Sequence, residues 1–256
     1  GFGNSWRVAT AASILSFLPL AELNEWKEVE YLKEFINLEA VERLHNSKRG
    51  KAIRSLFSWE SLMTTAFGTP RKLKATSSHK FDMKNGQKIE VQGMYLAPAS
   101  EATHSTFKIN TCSNHGDCKN DCLITSGHLA LDGHSSVRID KTRAFYGYPL
   151  RFLIQLLKEI KAGSERADRR GDLFQFRCNG TSDILWERYL YIDLFVAATD
   201  GLHKFYDYTK IGKRRLSKLP LNYHLTFSID EKVTTKTNGI AYALAGFSVA
   251  VVMPDK

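Results

Sequence analysis

Three cysteines stand close together in the stretch TCSNHGDCKNDC, residues 111–122, and this grouping could hold a metal ion or an iron–sulfur cluster. Five residues separate Cys112 from Cys118, and three residues separate Cys118 from Cys122. Iron–sulfur clusters are held by cysteine thiolates, so three local thiolates would bind three irons of a four-iron cluster. The fourth iron would stay open to an external ligand. Cys112, Cys118 and Cys122 are therefore the candidate metal ligands.

In radical S-adenosylmethionine enzymes, an open iron of this kind binds the amino and carboxylate groups of S-adenosylmethionine. Those enzymes place their cysteine triplet in the loop after the first strand of a β/α barrel. Here the triplet follows KIEVQGMYLAPA, residues 88–99, which has the pattern of a strand. The usual spacing is three and two residues, so the spacing of five and three departs from it. Placement and number of thiols favour a 4Fe–4S cluster, with S-adenosylmethionine as its expected cofactor.

Two other interpretations of the cysteines remain open at the level of sequence. Zinc usually takes four nitrogen or sulfur ligands, and His115, His128 or His134 could supply the fourth. Alternatively, the thiols could simply pack as small apolar groups. That last interpretation is the expected one for Cys178, which stands alone in an apolar, strand-like stretch.

Strand-like and helix-like segments alternate after residue 88, and this alternation predicts an α/β fold. The expected architecture is a partial β/α barrel or a parallel sheet, preceded by helices. We predict a helical N-terminal segment over 1–70, a linker over 71–87 and a cysteine-cluster β/α domain over 88–256. One continuous helix is expected over 143–163, where apolar residues recur with the helical period.

Polar residues follow several predicted strands at the points where those strands end. Because ligands of parallel sheets and β/α barrels gather beyond the carboxyl ends of the strands, we expect a site there. Turns are commonly polar as well, and Asp183 could simply cap the helix that follows it. The predicted cofactor-binding residues are Asn179, Thr181, Ser182, Thr226 and Ser228, and the predicted catalytic residues are Asp183, Asp207 and Lys210.

The chain carries a formal net charge of +9, which favours anionic partners. Basic residues concentrate in RKLK, residues 71–74, and in KIGKRR, residues 210–215. A nucleotide or nucleic acid is the expected partner, bound through this basic surface. The sequence has neither a phosphate-binding P-loop nor the Gly-x-Ser-x-Gly elbow of hydrolases. A nucleic-acid-binding protein with a structural metal loop and no catalysis is the alternative function.

The remaining composition predicts a cytoplasmic protein that does not bind membranes. Four cysteines in 256 residues are too few for a disulfide scaffold, and clustered thiols suit a reducing compartment. The longest apolar stretch, residues 8–20, is too short to span a bilayer. The N-terminal helices mix Glu and Lys on their polar face, whereas membrane-surface helices are mainly basic there. We expect these helices to pack on the β/α domain or on a partner.

Five motifs occur in an order that resembles one known family. They are the cysteine segment at 95–128, KTRAFYGYPLRFLIQLLKEI, RCNGTSDILWE, FYDYTK and NYHLTFS. Together they resemble the phage "gene product eighty-eight" family over about residues 85–252, which leaves residues 1–84 outside. The resemblance implies a phage or mobile-element origin, a bacterial host cell and a cysteine-cluster β/α domain. It implies no particular reaction.

Overall fold

Helices fill the described chain from residue 26 to residue 63, and strands occur together with helices after it. The computed structural model describes residues 26–78, 88–114, 122, 132–199, 203–212, 219–220, 222–229 and 233–251. The helices are α1 Trp26–Lys33, α2 Leu38–Asn46, α3 Lys48–Leu56, α4 Trp59–Met63, α5 Asp132–Gly147, α6 Pro149–Asp168, α7 Ile192–Ala198 and α8 Val233–Leu244. The strands are β1 Lys74–Ser78, β2 Ile89–Met94, β3 Leu173–Arg177, β4 His203–Thr209, β5 Tyr223–Ile229 and β6 Ser248–Val251.

The six strands form one sheet, and their order in the sheet is their order in the chain. Strand β1 runs antiparallel to β2, and the strands from β2 to β6 are all parallel. Helices lie between β2 and β3, between β3 and β4 and between β5 and β6. The five parallel strands with these helices confirm the predicted α/β class with an N-terminal helical segment. Strand β1 lies within the expected linker at 71–87, so part of that stretch belongs to the sheet.

One face of the sheet is buried beneath helices. Phe176, Phe205 and Tyr223 occupy paired positions on β3, β4 and β5, and each is buried. An added Cβ at Gly163 of α6 would lie 2.9 Å from the Phe174 ring, and one at Gly239 of α8 would lie 2.2 Å from the Ile229 side chain. Phe174 and Ile229 share this face by strand alternation, so α6 and α8 pack on the same side. We call it the covered face.

The predicted continuous helix over 143–163 is wrong, because two helices meet within it. Helix α5 ends at Gly147, and α6 begins at Pro149 after Tyr148, whose φ and ψ are −131° and 55°. Proline has no backbone N–H and is favoured in the first turn of a helix, where no acceptor is needed. The helical recurrence of apolar residues continues across the junction, so this pattern does not reveal the break between the two helices.

The N-terminal helices share one hydrophobic core with the β/α part of the chain. Leu32, Ile53 and Leu62 are at most 1% exposed and belong to the same buried cluster as Phe145 and Phe176. Backbone hydrogen bonds join residues 35–37 to residues 189–191, which precede α7. The helices thus pack on the β/α part and complete its core. In the described part of the chain, no helix is long and apolar enough to cross a membrane.

Gly50 lets α3 approach its neighbours closely, and its substitution is expected to destabilise the protein. An added Cβ would lie 2.6 Å from the carbonyl oxygen of His45 and 3.1 Å from that of Tyr146. Since these are backbone atoms, the helix itself would have to move. We expect Gly50→Ala to lower the free energy of unfolding by about 2–3 kcal/mol in urea denaturation. Lys51→Ala, on the exposed side of α3, should change it by less than about 0.5 kcal/mol, and equal effects of the two would contradict this packing.

Two buried groups on α5 predict that stability peaks in alkaline solution. Burial lowers the pKa of Lys141 from 10.5 to about 8, with Glu159 opposing and Arg71 adding to the shift. Burial raises the pKa of Tyr146 from 10.0 to about 12. Between pH 8 and 10.5 the unfolded chain keeps a proton that folded Lys141 has lost, so stability rises with pH. Above pH 10 the unfolded chain loses the Tyr146 proton first, so stability falls.

The measurement is the urea unfolding free energy at pH 7.5, about 10 and about 12. The rise contributed by Lys141 is expected to be about 1–3 kcal/mol. Its ammonium donates to the carbonyl of Leu73 at 2.9 Å, so Lys141→Met also removes one hydrogen bond. In Lys141→Met, the unfolding free energy should no longer rise between pH 7.5 and about 10. If it rises as much as in wild type, other groups cause the rise.

Candidate functional site

Asn179 is the hydrogen-bonding centre of the loop that follows β3. Its amide nitrogen donates to the carbonyl of Ile184 at 2.9 Å and to Asp207 Oδ2 at 3.1 Å. Its amide oxygen accepts from Ser182 Oγ at 2.9 Å and from Trp186 Nε1 at 2.9 Å. The side chain is 1% exposed, so every one of these bonds is shielded from water. These hydrogen bonds therefore hold the loop in one conformation and connect it to Asp207 on β4.

Asp207 links β4 to the loop after β3 and to the first residue of β5. Its carboxylate accepts from the backbone N–H of Asn179 at 2.6 Å and from the hydroxyl of Tyr223 at 2.5 Å, in addition to the Asn179 amide. It is 1% exposed and lies on the covered face, paired with Leu225. These contacts support a role in holding β3, β4 and β5 together. Its predicted catalytic role stays a prediction.

The loop after β2 brings Cys112 to the carboxyl edge of the sheet. The hydroxyl of Thr111 donates to the carbonyl of Ala97 at 2.6 Å, and the backbone N–H of Asp183 donates to the carbonyl of Thr111 at 2.8 Å. Cys112 Sγ lies 3.5 Å from the carbonyl oxygen of Thr181, in the loop after β3. Two strand ends therefore converge on the first cysteine of the triplet.

Cys112 is a partly buried thiol within electrostatic reach of Asp183 and Cys122. Burial raises the pKa of the Cys112 thiol, and the charges of Asp183 and Cys122 raise it further. A bound cation would reverse this balance by stabilising the thiolates. Among the residues that the structure describes, no group of three or more His, Cys, Asp or Glu side chains is arranged to hold a metal. Cys118 lies outside the described residues, as do His115 and His128.

Lys210 and Asp183 connect the end of β4 to the cysteine loop. The backbone N–H of Lys210 donates to Asp183 Oδ2 at 2.9 Å, and its carbonyl accepts from Asn114 Nδ2 at 3.1 Å. Asp183 does not cap the short helical turn that follows, since Leu185 holds that position. Cys112, Thr181, Asp183 and Lys210 are thus brought to one place. This supports the expectation that the strand ends meet, and we call the group the strand-end site.

The second face of the sheet is polar and aromatic, and we call it the open face. Arg177 and Tyr206 occupy paired positions on β3 and β4, and Tyr206 pairs in turn with His224 on β5. The guanidinium carbon of Arg177 lies 4.9 Å from the centre of the Tyr208 ring. Helices α6 and α8 both pack on the opposite face, and Tyr208 is 41% exposed. The open face can therefore contact a ligand.

Thr226 and Ser228, which were predicted to bind a cofactor, belong to this open face. Thr226 pairs with Tyr208 and with Ser248, and both predicted residues are partly exposed. The prediction of a site at the strand ends does not include His224. Its Nε2 lies 3.1 Å from Ser248 Oγ. The signal for it is the two-residue alternation of polar and apolar side chains along β5.

Cys178 is fully buried and follows Arg177 at the end of β3. It belongs to the main hydrophobic cluster, together with Phe176 and Trp186. This placement confirms the expectation that it packs as a small apolar residue.

Fold and site define the class: an α/β protein with a five-stranded parallel sheet and a cysteine loop at the sheet's carboxyl edge. The chain belongs to the phage Gene product 88 family, whose family model matches residues 64–256. The match begins before residue 85, so the expectation that residues 64–84 lie outside the family is wrong. The family region includes β1 and every parallel strand. No curated protein and no solved structure matches the chain.

Proposed function

We propose that this phage-family protein binds a 4Fe–4S cluster through Cys112, Cys118 and Cys122 and acts on a nucleotide or nucleic acid. The proposed class is a radical S-adenosylmethionine-like enzyme. The observation that carries the proposal is the position of Cys112 at the carboxyl edge of a parallel sheet. Its Sγ lies 3.5 Å from the carbonyl oxygen of Thr181, within electrostatic reach of Cys122 and Asp183. Ligand sites of parallel sheets lie at this edge, because the loops converge there.

The donor set fits an iron–sulfur cluster better than it fits a closed zinc site. Cys178 is buried in the core, which leaves Cys112, Cys118 and Cys122 as the candidate ligands of a shared metal. Three thiolates complete the protein ligands of a cluster with one open iron, whereas structural zinc takes four protein ligands. When bound, such a cluster supplies one electron to S-adenosylmethionine.

The residues around the proposed cluster have separable roles. Asn179 and Ser182 are hydrogen-bonded to each other, so they would position the loop that faces the cofactor. Thr226 and Ser228 offer hydroxyl groups on the open face, where a sugar could accept and donate hydrogen bonds. The ammonium of Lys210, at the end of β4, would bind a carboxylate or phosphate.

Metal analysis of the full chain purified without oxygen tests this proposal. We expect a brown protein with broad visible absorbance and about four iron and four sulfide ions per chain. A colourless protein with one zinc per chain would contradict the iron–sulfur assignment. A metal-free protein that folds normally would contradict any metal role of the triplet.

The open face favours a second candidate function, which is nucleic-acid binding around a structural metal loop without catalysis. Arg177 lies over the Tyr208 ring, and the neighbouring strand positions carry Lys204 and His224. Proteins that bind single strands combine exposed aromatic rings with cationic side chains, since bases stack on the rings and phosphates bind the cations. Such binding weakens steeply with salt.

Removing the Tyr208 ring tests this candidate. Tyr208→Ala is expected to weaken the binding of a single-stranded DNA or RNA oligonucleotide by about tenfold, because one stacking surface is lost. The measurement is fluorescence anisotropy at two salt concentrations. Tyr191→Ala is the matched control, since Tyr191 is equally exposed, at 41%, just before α7. Equal effects of the two variants, or no binding at low salt, would contradict nucleic-acid binding by the open face.

A further inference from the structure

A cavity of about 450 Å³ lies between the junction of α2 with α3 and the loop at residues 106–108. Three cationic residues line it: Lys48, Arg49 and Lys108. None of its lining residues is acidic, so the local charge is positive. Its size is in the range of small-molecule binding sites, which is about 300–1,000 Å³. These features favour an anionic ligand.

Helix α3 begins at this cavity and adds to its positive potential. Ser47 is the N-cap, and its hydroxyl accepts from the backbone N–H of Gly50 at 3.0 Å. Lys48 and Arg49 are the first two residues of the helix and line the cavity, and N–H groups in a first turn have no acceptor within the helix. The helix dipole favours negative charge at this end.

Arg49 is held in place and retains an unused hydrogen-bonding group. Its guanidinium carbon lies 4.8 Å from the centre of the Tyr146 ring, and the side chain bonds to the Tyr146 hydroxyl. Its Nε is buried and has no hydrogen-bond partner within the described part of the chain. A buried donor without a partner is costly.

Apolar side chains complete the cavity beside the cations. Leu44 and Phe107 both line it, and the Phe107 ring stacks on His104 with 5.4 Å between ring centres. Phe107 is 6% exposed and its ring already contacts His104, so the apolar part of the lining is small. The cations therefore supply most of the contacts that the lining offers to a ligand.

We propose that this cavity binds the phosphate group of a nucleotide. The inference is independent of the metal and of the open face, because it uses none of their residues. Free nucleotides and the 5′ end of a nucleic-acid strand share this chemistry. The bound phosphate would contact Arg49 and Lys108, and the start of α3 would support it.

Isothermal titration of the full chain with AMP, adenosine, a 5′-phosphorylated oligonucleotide and the same oligonucleotide without its phosphate tests the proposal. We expect AMP to bind and adenosine to bind at least about tenfold more weakly, because the charge-assisted bonds to phosphate are lost. Tight binding of the phosphorylated oligonucleotide, with weak binding of AMP and of the unphosphorylated strand, would identify a strand end as the source. Either pattern supports the site. Equal binding of AMP and adenosine, or no binding of any probe, would overturn it.

Two variants assign the binding to this cavity. Lys108 is an exposed loop residue, so the Lys108→Gln variant should fold normally. The Arg49→Gln variant also loses the contact between Arg49 and the Tyr146 ring. Each is expected to weaken binding by about tenfold, the effect of one lost charge-assisted contact. Lys51→Gln is the matched control, since Lys51 is exposed on the same helix and does not line the cavity. Unchanged affinity in Lys108→Gln, or the same loss in Lys51→Gln, would overturn the proposal.

Discussion

Replacing any one of Cys112, Cys118 and Cys122 with alanine is expected to abolish most of the bound metal. Three thiolates that share one cluster act as a unit, so the loss of one leaves the metal poorly held. The three single variants should therefore be similarly damaging, and the triple variant should be hardly worse. The measurements are iron, sulfide and zinc content after purification without oxygen, together with visible absorbance.

Cys178→Ala is the matched control for these variants. Its side chain is fully buried within the core, so the expected effect is a loss of stability of about 1 kcal/mol and no loss of metal. If Cys178→Ala also abolished the metal, a closed site with four cysteines would replace the proposed open cluster. His115→Ala and His128→Ala separate the metals, because zinc would need a fourth ligand and an iron cluster would not.

Asn179→Asp is expected to cause the largest loss of stability, about 3–5 kcal/mol at neutral pH. The change replaces an amide nitrogen with a carboxylate oxygen, 3.1 Å from Asp207 Oδ2 and 2.9 Å from the Ile184 carbonyl. Two hydrogen bonds would become repulsive contacts between oxygens in a site that is 1% exposed. The measurement is the urea unfolding free energy.

The pH dependence of this variant distinguishes the mechanism from a simple packing defect. Burial and Asp207 would raise the pKa of the new carboxyl in the folded state, so folding would favour its protonated form. The variant should therefore regain stability relative to wild type as pH falls, and lose it as pH rises. Asn46→Asp, at the exposed end of α2, should change stability by less than about 0.5 kcal/mol. A neutral-pH stability equal to wild type would contradict the described bonds of Asn179.

Local pattern was sufficient for most of the strands and helices and for naming the candidate ligands of the cysteine loop. Strands β3 and β5 were predictable because their apolar residues recur with a period of two, and the pleat converts that period into two faces. The cysteine spacing, the order of motifs and the polar strand ends were also visible, since each depends on neighbouring residues. The family membership followed from the same motifs.

Tertiary structure alone decided which of these residues meet. The partners of Asn179 include Asp207, and Cys112 contacts Thr181, so both arrangements depend on parallel pairing between distant segments. Strand β1 forms because β2 offers it an edge, although its sequence KATSS is polar and was predicted as linker. The cationic cavity likewise requires α3 and the loop after β2 to pack together. Periodicity reports which face of an element is apolar, but the partner that covers that face is selected by the free energy of the whole core.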